Sequence, residues 1–409
     1  MSVRRPRPGA AVNRIAWRAP NFSNPVIMPL DRRGFLTSCI ATGMAGAALP
    51  GALLRGEEAP TTTPPAGGTD APPGSIDIQP IVDAALAAVS AAKLGPGRYA
   101  RFLGAESAKR PGGGDVNPYG CAAAACIQYT TGHFPRDPAE RAAAISTLQA
   151  NQSPDTGLFS EPSHHAWHAT AYVPAALELF DAVPLHPLRA LHPLLAPGGI
   201  EKLLNSLDWV KSPWGQAHQG AGSFAALFVT GEAPLAWQDR YFAWLWEEQD
   251  PSTGLWRKGC QPPAGPPGTA PLFHHLASSF HYLFNHVVAR RPVRYPAPMI
   301  DSALRVRREK LQALGTGPGF SELDWVYCLT RPVRQCGHRF DEVQAEVGDF
   351  AREYARNLLA HVASRPVPFE DLHALNGTMS AFAELQQAAP GLLRTERPLK
   401  LILDRRPFI

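Results

Sequence analysis

Asn151–Phe159 reads NQSPDTGLF, and Glu248–Trp256 reads EQDPSTGLW. Gln, Pro, Thr, Gly and Leu keep their places in both copies, which begin 97 residues apart. Each copy closes a helical run, and a histidine pair that opens another follows a few residues later: His164-His165 and His274-His275. The interval is too long for one supersecondary unit and suits two, so the chain reads as a set of repeats. The Thr-Gly of each copy predicts a left-handed glycine turn that ends an outer helix, with the following Leu and aromatic residue tucked beneath.

Outward from these copies, helical periodicity runs from about Ile76 onward, and alternating strand patterns are scarce. Two kinds of helix alternate. Amphipathic ones are expected over 78–93, 137–150, 199–211, 235–248, 298–314 and 342–363, with apolar residues at spacings of three and four. Small-residue-rich ones, apolar nearly all round, are expected over Gly120–Tyr129, His168–Phe180, His218–Phe228, His274–Phe284, Leu323–Leu329 and Leu375–Leu385. A helix apolar on every side must be buried on every side. Pro174 is expected to kink the second of these or to shift its start. The economical arrangement is an all-α (α/α)6 toroid over 76–390, with outer helices ringing inner ones. An α-solenoid is the alternative.

The rest of the chain reads differently. Eight of the 39 basic residues but only one of the 35 acidic ones fall in residues 1–55, which leaves 31 against 34. That balance gives no nucleic-acid surface. Asp31-Arg32-Arg33-Gly34-Phe35-Leu36-Thr37 precedes the uncharged stretch Ser38–Leu54 and resembles a bacterial twin-arginine signal, though Asp31 and Thr37 depart from the pattern. The resemblance implies engagement of the twin-arginine translocase and export to the periplasm or beyond, with the signal cleaved or kept as an anchor. Met28 is an alternative start. Residues 56–75 form a Pro/Thr/Gly-rich linker, and 391–409 a C-terminal tail. Cys121, Cys126, Cys260, Cys328 and Cys336 show no Cys-x-x-Cys spacing, which leaves open only a single Cys328–Cys336 disulfide.

Polar residues gather where outer helices give way to inner ones. Glu322 and Asp324 are the acid–base candidates, with Asp115, Glu161 or Asp371 opposite; Ser321-x-x-Asp324 also reads as a helix cap. His165, His168 and Tyr119 are candidate bases. Substrate contacts are expected from Asp115, His164, Trp167, Trp214, Gln216, His218, His274, His275, Trp325, His373 and Asn376. His165 and His168 have a chelating spacing, but no third ligand is fixed, so neither a metal nor another cofactor is expected.

Leu148–Leu179 resembles a prenyltransferase/squalene-cyclase repeat through its Gln-x-x-Asp-x-Gly turn and Thr-Ala-Tyr helix. The Asp-x-Asp-Asp motif of squalene-type cyclases is missing. The same double ring is shared by glucoamylase-like and unsaturated-uronyl hydrolases and, in related form, by polysaccharide lyases. The likeness implies an enzyme that hydrolyses or eliminates a saccharide at the inner-helix N-terminal rim. A non-catalytic saccharide- or cell-wall-binding toroid is the second reading. A terpene-cyclase-like protein with a largely apolar cavity is the third.

Overall fold

The computed structural model describes residues 74–110, 112–405 and 408. The signal region and nearly all of the linker lie outside the described residues. What is described is mostly helical, and its few strands close no sheet. Among the described residues no helix is long and apolar enough to cross a membrane.

The outer set comprises α1 (Gln79–Ala91) and, after the short α2 (Gly104–Lys109), five partners of the inner helices. The inner set begins with α3 (Pro118–Thr130), started by Asn117, whose Oδ1 accepts the Tyr119 and Gly120 amides at 2.8 and 3.1 Å. Outer α4 (Pro138–Gln149) is capped the same way by Asp137. Next come inner α5 (Ala166–Glu178), a 3-10 turn over Arg189–Leu195 with outer α6 (Gly199–Ser206), and inner α7 (Pro213–Val229). Outer α8 (Leu235–Glu248), inner α9 (Leu272–Val288), outer α10 (Pro296–Arg308), inner α11 (Ser321–Cys336), outer α12 (Phe340–Ala363) and inner α13 (Leu372–Ala388) complete the alternation. Pro174 lies inside α5, whose start falls two residues before the expected one.

Burial explains the partition. Residues Pro118–Ile127 of α3 are buried without a break, whereas α4 buries only Ala144 and Leu148. Packing follows: α3 lies against α5, α5 against α7, α7 against α9, α9 against α11, α11 against α13, and α13 against α3, so the cycle of neighbours closes. Ala, Gly and Ser at these contacts let the helices approach closely.

The repeated nonapeptides are corners, and both are built alike. The outer helices end at Gln149 and Glu248, before the Thr-Gly of each copy, and each nonapeptide then forms a tight loop closed by a bridge, Gln152 to Phe159 and Gln249 to Trp256. The Gln side-chain amide donates to the glycine carbonyl inside the loop, at 2.9 Å (Gln152) and 2.7 Å (Gln249). The glycines, at φ 76° and 69°, are left-handed as expected. A Cβ on Gly157 would lie 2.0 Å from the Pro187 carbonyl oxygen, and one on Gly254 2.3 Å from the Met299 nitrogen. The closing aromatic amide donates to a hydroxyl of the next inner helix, Thr170 in one copy and Ser279 in the other.

The segment read as a C-terminal tail is packed. β4 (Leu393–Arg394) pairs in parallel with β1 (Ile76–Asp77), a join separate from the hairpin of β2 (Lys93–Gly95) and β3 (Arg98–Tyr99). Beyond it, α14 (Ile402–Arg405) touches both α3 and α9, three places apart in the cycle, and the Phe408 side chain is fully buried. All five cysteines of the described residues are free. Cys328 and Cys336 bond instead to the carbonyls of Leu276 and Pro332.

Candidate functional site

A cavity of about 440 Å³ opens at the N-terminal ends of the inner helices. Its wall carries six imidazoles: His164, His168, His218, His274, His281 and His373. Trp214, Phe280 and Phe320 supply aromatic surface, and Lys211, Ser212 and Asp324 complete the polar groups.

The histidines reach the cavity from different depths. His164 comes from the loop before α5, and His168 is the third residue of that helix. His218 is the sixth residue of α7, His373 the second of α13. On α9, His274 is the third residue and His281 the tenth, two turns further in on the same face. There the rings of His168 and His218 lie 4.4 Å apart, and those of His218 and His281 5.6 Å apart. Phe408 floors this cluster, 4.8 Å from the His168 ring and 5.9 Å from His281.

Burial keeps these imidazoles neutral. His168 and His218 are held well below the usual histidine value by desolvation first and neighbouring histidines second, and burial lowers His281 to about 4. Their tautomers are constrained too. His281 Nδ1 lies 2.8 Å from the Ala277 carbonyl, which can only accept, so Nδ1 carries the proton and Nε2 is a bare lone pair. His168 Nδ1 is engaged by the Tyr119 hydroxyl.

His164 is oriented by a relay. Arg101 Nη1 donates to Glu161 Oε1 at 3.1 Å and to Ser163 Oγ at 2.5 Å, and its other nitrogens grip Asp371 at 2.9 and 3.0 Å. Burial alone would raise Glu161; His164 and Ser163 beside it, with the Arg101 charge, hold it at about 2 instead. The single hydroxyl hydrogen of Ser163 goes to the ionised Glu161. Its oxygen therefore accepts from His164 Nδ1, 2.6 Å away, and in neutral His164 the lone pair is on Nε2.

The carboxyl candidates divide. Asp324 is fully buried, lines the cavity, and has neither carboxylate oxygen hydrogen-bonded. Burial first, then the nearby Glu322, pushes it well above the usual carboxylate range. It is not a cap: α11 starts from Phe320 with no side-chain capping bond. Glu322 faces away and accepts the Gly315 amide at 2.8 Å. Glu161 and Asp371 are committed to Arg101, and Asp115 is exposed outside the lining.

Of the other expected residues, His164, His168, Trp214, His218, His274 and His373 converge on the cavity. Tyr119 stands just behind, stacked 4.8 Å from His164. Asn376 is a layer deeper, donating to the Tyr172 hydroxyl at 3.0 Å. His165 is exposed and caps α5 by accepting the Trp167 amide at 3.2 Å, with Trp167 edge-on to it. His275 is buried outside the lining, and Gln216, also outside it, accepts from Gln219 at 3.5 Å. Trp325 is core: its indole donates to Ala303 and packs on Phe350.

Sequence reading missed His281, Arg101, Ser163, Lys211 and Phe408. A signal existed for His281, since His274 and His281 are seven apart on one helix and share a face. Arg101 and Phe408 carried none, because both arrive from outside the alternating helices. Compared with protein-family models, with curated proteins and with solved structures, the chain matches none.

Proposed function

We propose that the domain is an (α/α)6 toroid, exported through its Arg32-Arg33 signal, and that the cavity eliminates an anionic saccharide in the manner of a lyase. The closed cycle of inner helices, each preceded in the chain by an outer one, supports the toroid. The observation that carries the chemistry is the charge of the lining. Six imidazoles and Lys211 surround a single carboxyl group, Asp324, and burial keeps that carboxyl protonated. Hydrolysis by two carboxylates needs an ionised partner across the bond. Every other candidate is tied to Arg101, bonded to the Gly315 amide or outside the cavity.

Elimination fits this inventory. His164 Nε2 takes the proton α to a uronate carboxylate. The electron pair forms the carbon–carbon double bond as the β C–O bond breaks, and the leaving oxygen takes a proton from Asp324. Lys211 offsets the substrate's negative charge, and Trp214 and Phe320 offer faces for the sugar ring.

The test is incubation of the full chain with uronate polymers and with neutral glycans. New ends bearing the ultraviolet absorbance of an unsaturated uronate are expected, only from uronates, with His164→Ala slower by roughly 10²–10⁴-fold. Reducing ends without that absorbance would establish hydrolysis instead. Retention of a glycan without turnover would establish the binding-only reading.

A further inference from the structure

Three of the six imidazoles form a cluster of their own beside His164, whose ring lies 4.7 Å from His168 and 5.7 Å from His218. One ring nitrogen from each of His168, His218 and His281 lies within 4.8 Å of the other two. They come from α5, α7 and α9, consecutive members of the inner cycle, so rigid helices hold all three. We propose that His168, His218 and His281 bind one zinc-like divalent cation, with its remaining coordination position open to the cavity.

Four independent features point the same way. Imidazole ligation needs a neutral ring whose free nitrogen faces the ion while the other is held by an acceptor. His281 satisfies this through the Ala277 carbonyl, and His168 does so in the tautomer whose Nδ1–H donates to the Tyr119 hydroxyl. The set is all nitrogen, which suits zinc and its neighbours better than calcium or magnesium. Three protein ligands with an open side is the pattern of catalytic rather than structural zinc. Finally, the buried Asp324 carboxyl on the same cavity has both oxygens unpartnered, a place for a metal-bound water or substrate group to bond.

The dimensions are attainable. Nitrogens about 2.0–2.1 Å from a tetrahedral ion stand roughly 3.3 Å apart. The rings therefore close by roughly 1–1.5 Å on binding, a side-chain adjustment. Ion binding does not depend on the elimination reading. Where that reading holds, the ion supplies a Lewis acid for the substrate carboxylate.

The experiment uses the full chain, stripped with a chelator and dialysed, with no substrate. Zn²⁺ is titrated by calorimetry, and Co²⁺ is followed by its visible absorption. One ion per chain is expected, with Co²⁺ bands of a low-coordinate imidazole site. His218→Ala and His281→Ala should each lose more affinity than the roughly 10–100-fold that removal of an outer-shell partner costs, and Tyr119→Phe should fall within that range. His165→Ala, at the exposed cap, should bind like the parent. A parent chain that takes up neither ion overturns the site, and this arm needs no variant to fold. So does a His281→Ala chain that binds as tightly as the parent. Metal uptake without turnover would leave the site standing and remove only the elimination reading.

Discussion

Two groups of carboxyls flank the same cavity and behave oppositely. Glu161 and Asp371 share the Arg101 guanidinium, which is itself buried against Phe102 and Tyr119. Asp324, contributed by α11, has no cation and no hydrogen bond among the described residues. Little of either residue is exposed, 5% of Glu161 and 1% of Asp324, so surface exposure alone does not separate them. Their surroundings do. With His164, Ser163 and Arg101 beside it the Glu161 carboxyl is ionised even in acid; Asp324, more deeply desolvated and beside Glu322, is driven neutral. The first group is thereby tied into the scaffold around His164, and the second keeps its proton.

Removing the cation is the most damaging way to break this contrast. Arg101→Met leaves Glu161 buried and Asp371 partly buried without their charge partner. Loss of one member of a buried ion pair costs about 3–5 kcal/mol. The urea midpoint at neutral pH should fall accordingly, and the relay to His164 should come apart with it. A midpoint within experimental error of the parent would show that the pairing contributes little to the fold.

Acid probes the same group more gently. The Glu161 carboxyl has an ordinary value of 4.5 and lies at about 2 in the fold. A depressed carboxyl contributes stability that is complete above its unfolded value and is lost as pH falls through the folded one. The window is therefore about pH 4.5 down to 2, and the contribution on the order of 3 kcal/mol. Glu161→Gln should be less stable than the parent at pH 6, and the gap should narrow steadily on acidification. A gap that is constant from pH 6 to 3 would place the shift elsewhere.

How much of this was legible in sequence follows from what each residue answers to. The helices were, because burial imposes periodicity. The expected 235–248 coincides with α8, and 342–363 falls inside α12. The corner was legible as a repeat but misread as a helix terminator. Its glutamine ties the loop to itself and to the next outer segment, through His186 in one copy and Arg294 in the other, contacts no local pattern encodes. The rim was legible through His164, His168, His218, His274 and His373, since each sits near an inner-helix start. His281 was hidden by its depth. Glu161 and Glu322 could not be sorted from Asp324, because the sorting agents, Arg101 and the Gly315 amide, sit outside the rim pattern.

The smallest effect at acid pH is expected from Asp324→Asn, and its pH trend sharpens the contrast by its sign. In the chelator-treated chain the Asp324 carboxyl is raised well above its ordinary 3.8. Below that ordinary value both folded and unfolded chains carry the proton, and the group is neutral in stability. As pH rises past it, the unfolded chain releases the proton while the folded chain keeps it, so the fold loses stability toward neutrality. Asparagine has no proton to release. The two chains should match to within about 1 kcal/mol at pH 3. The variant should then gain on the parent as pH climbs to 7, the reverse of the Glu161→Gln trend. Under the proposed elimination, turnover should still fall, since an amide cannot donate the proton the leaving oxygen needs. If the variant instead loses stability with rising pH, Asp324 is ionised in the fold. The two sides of the cavity would then differ only in their partners, not in their charge.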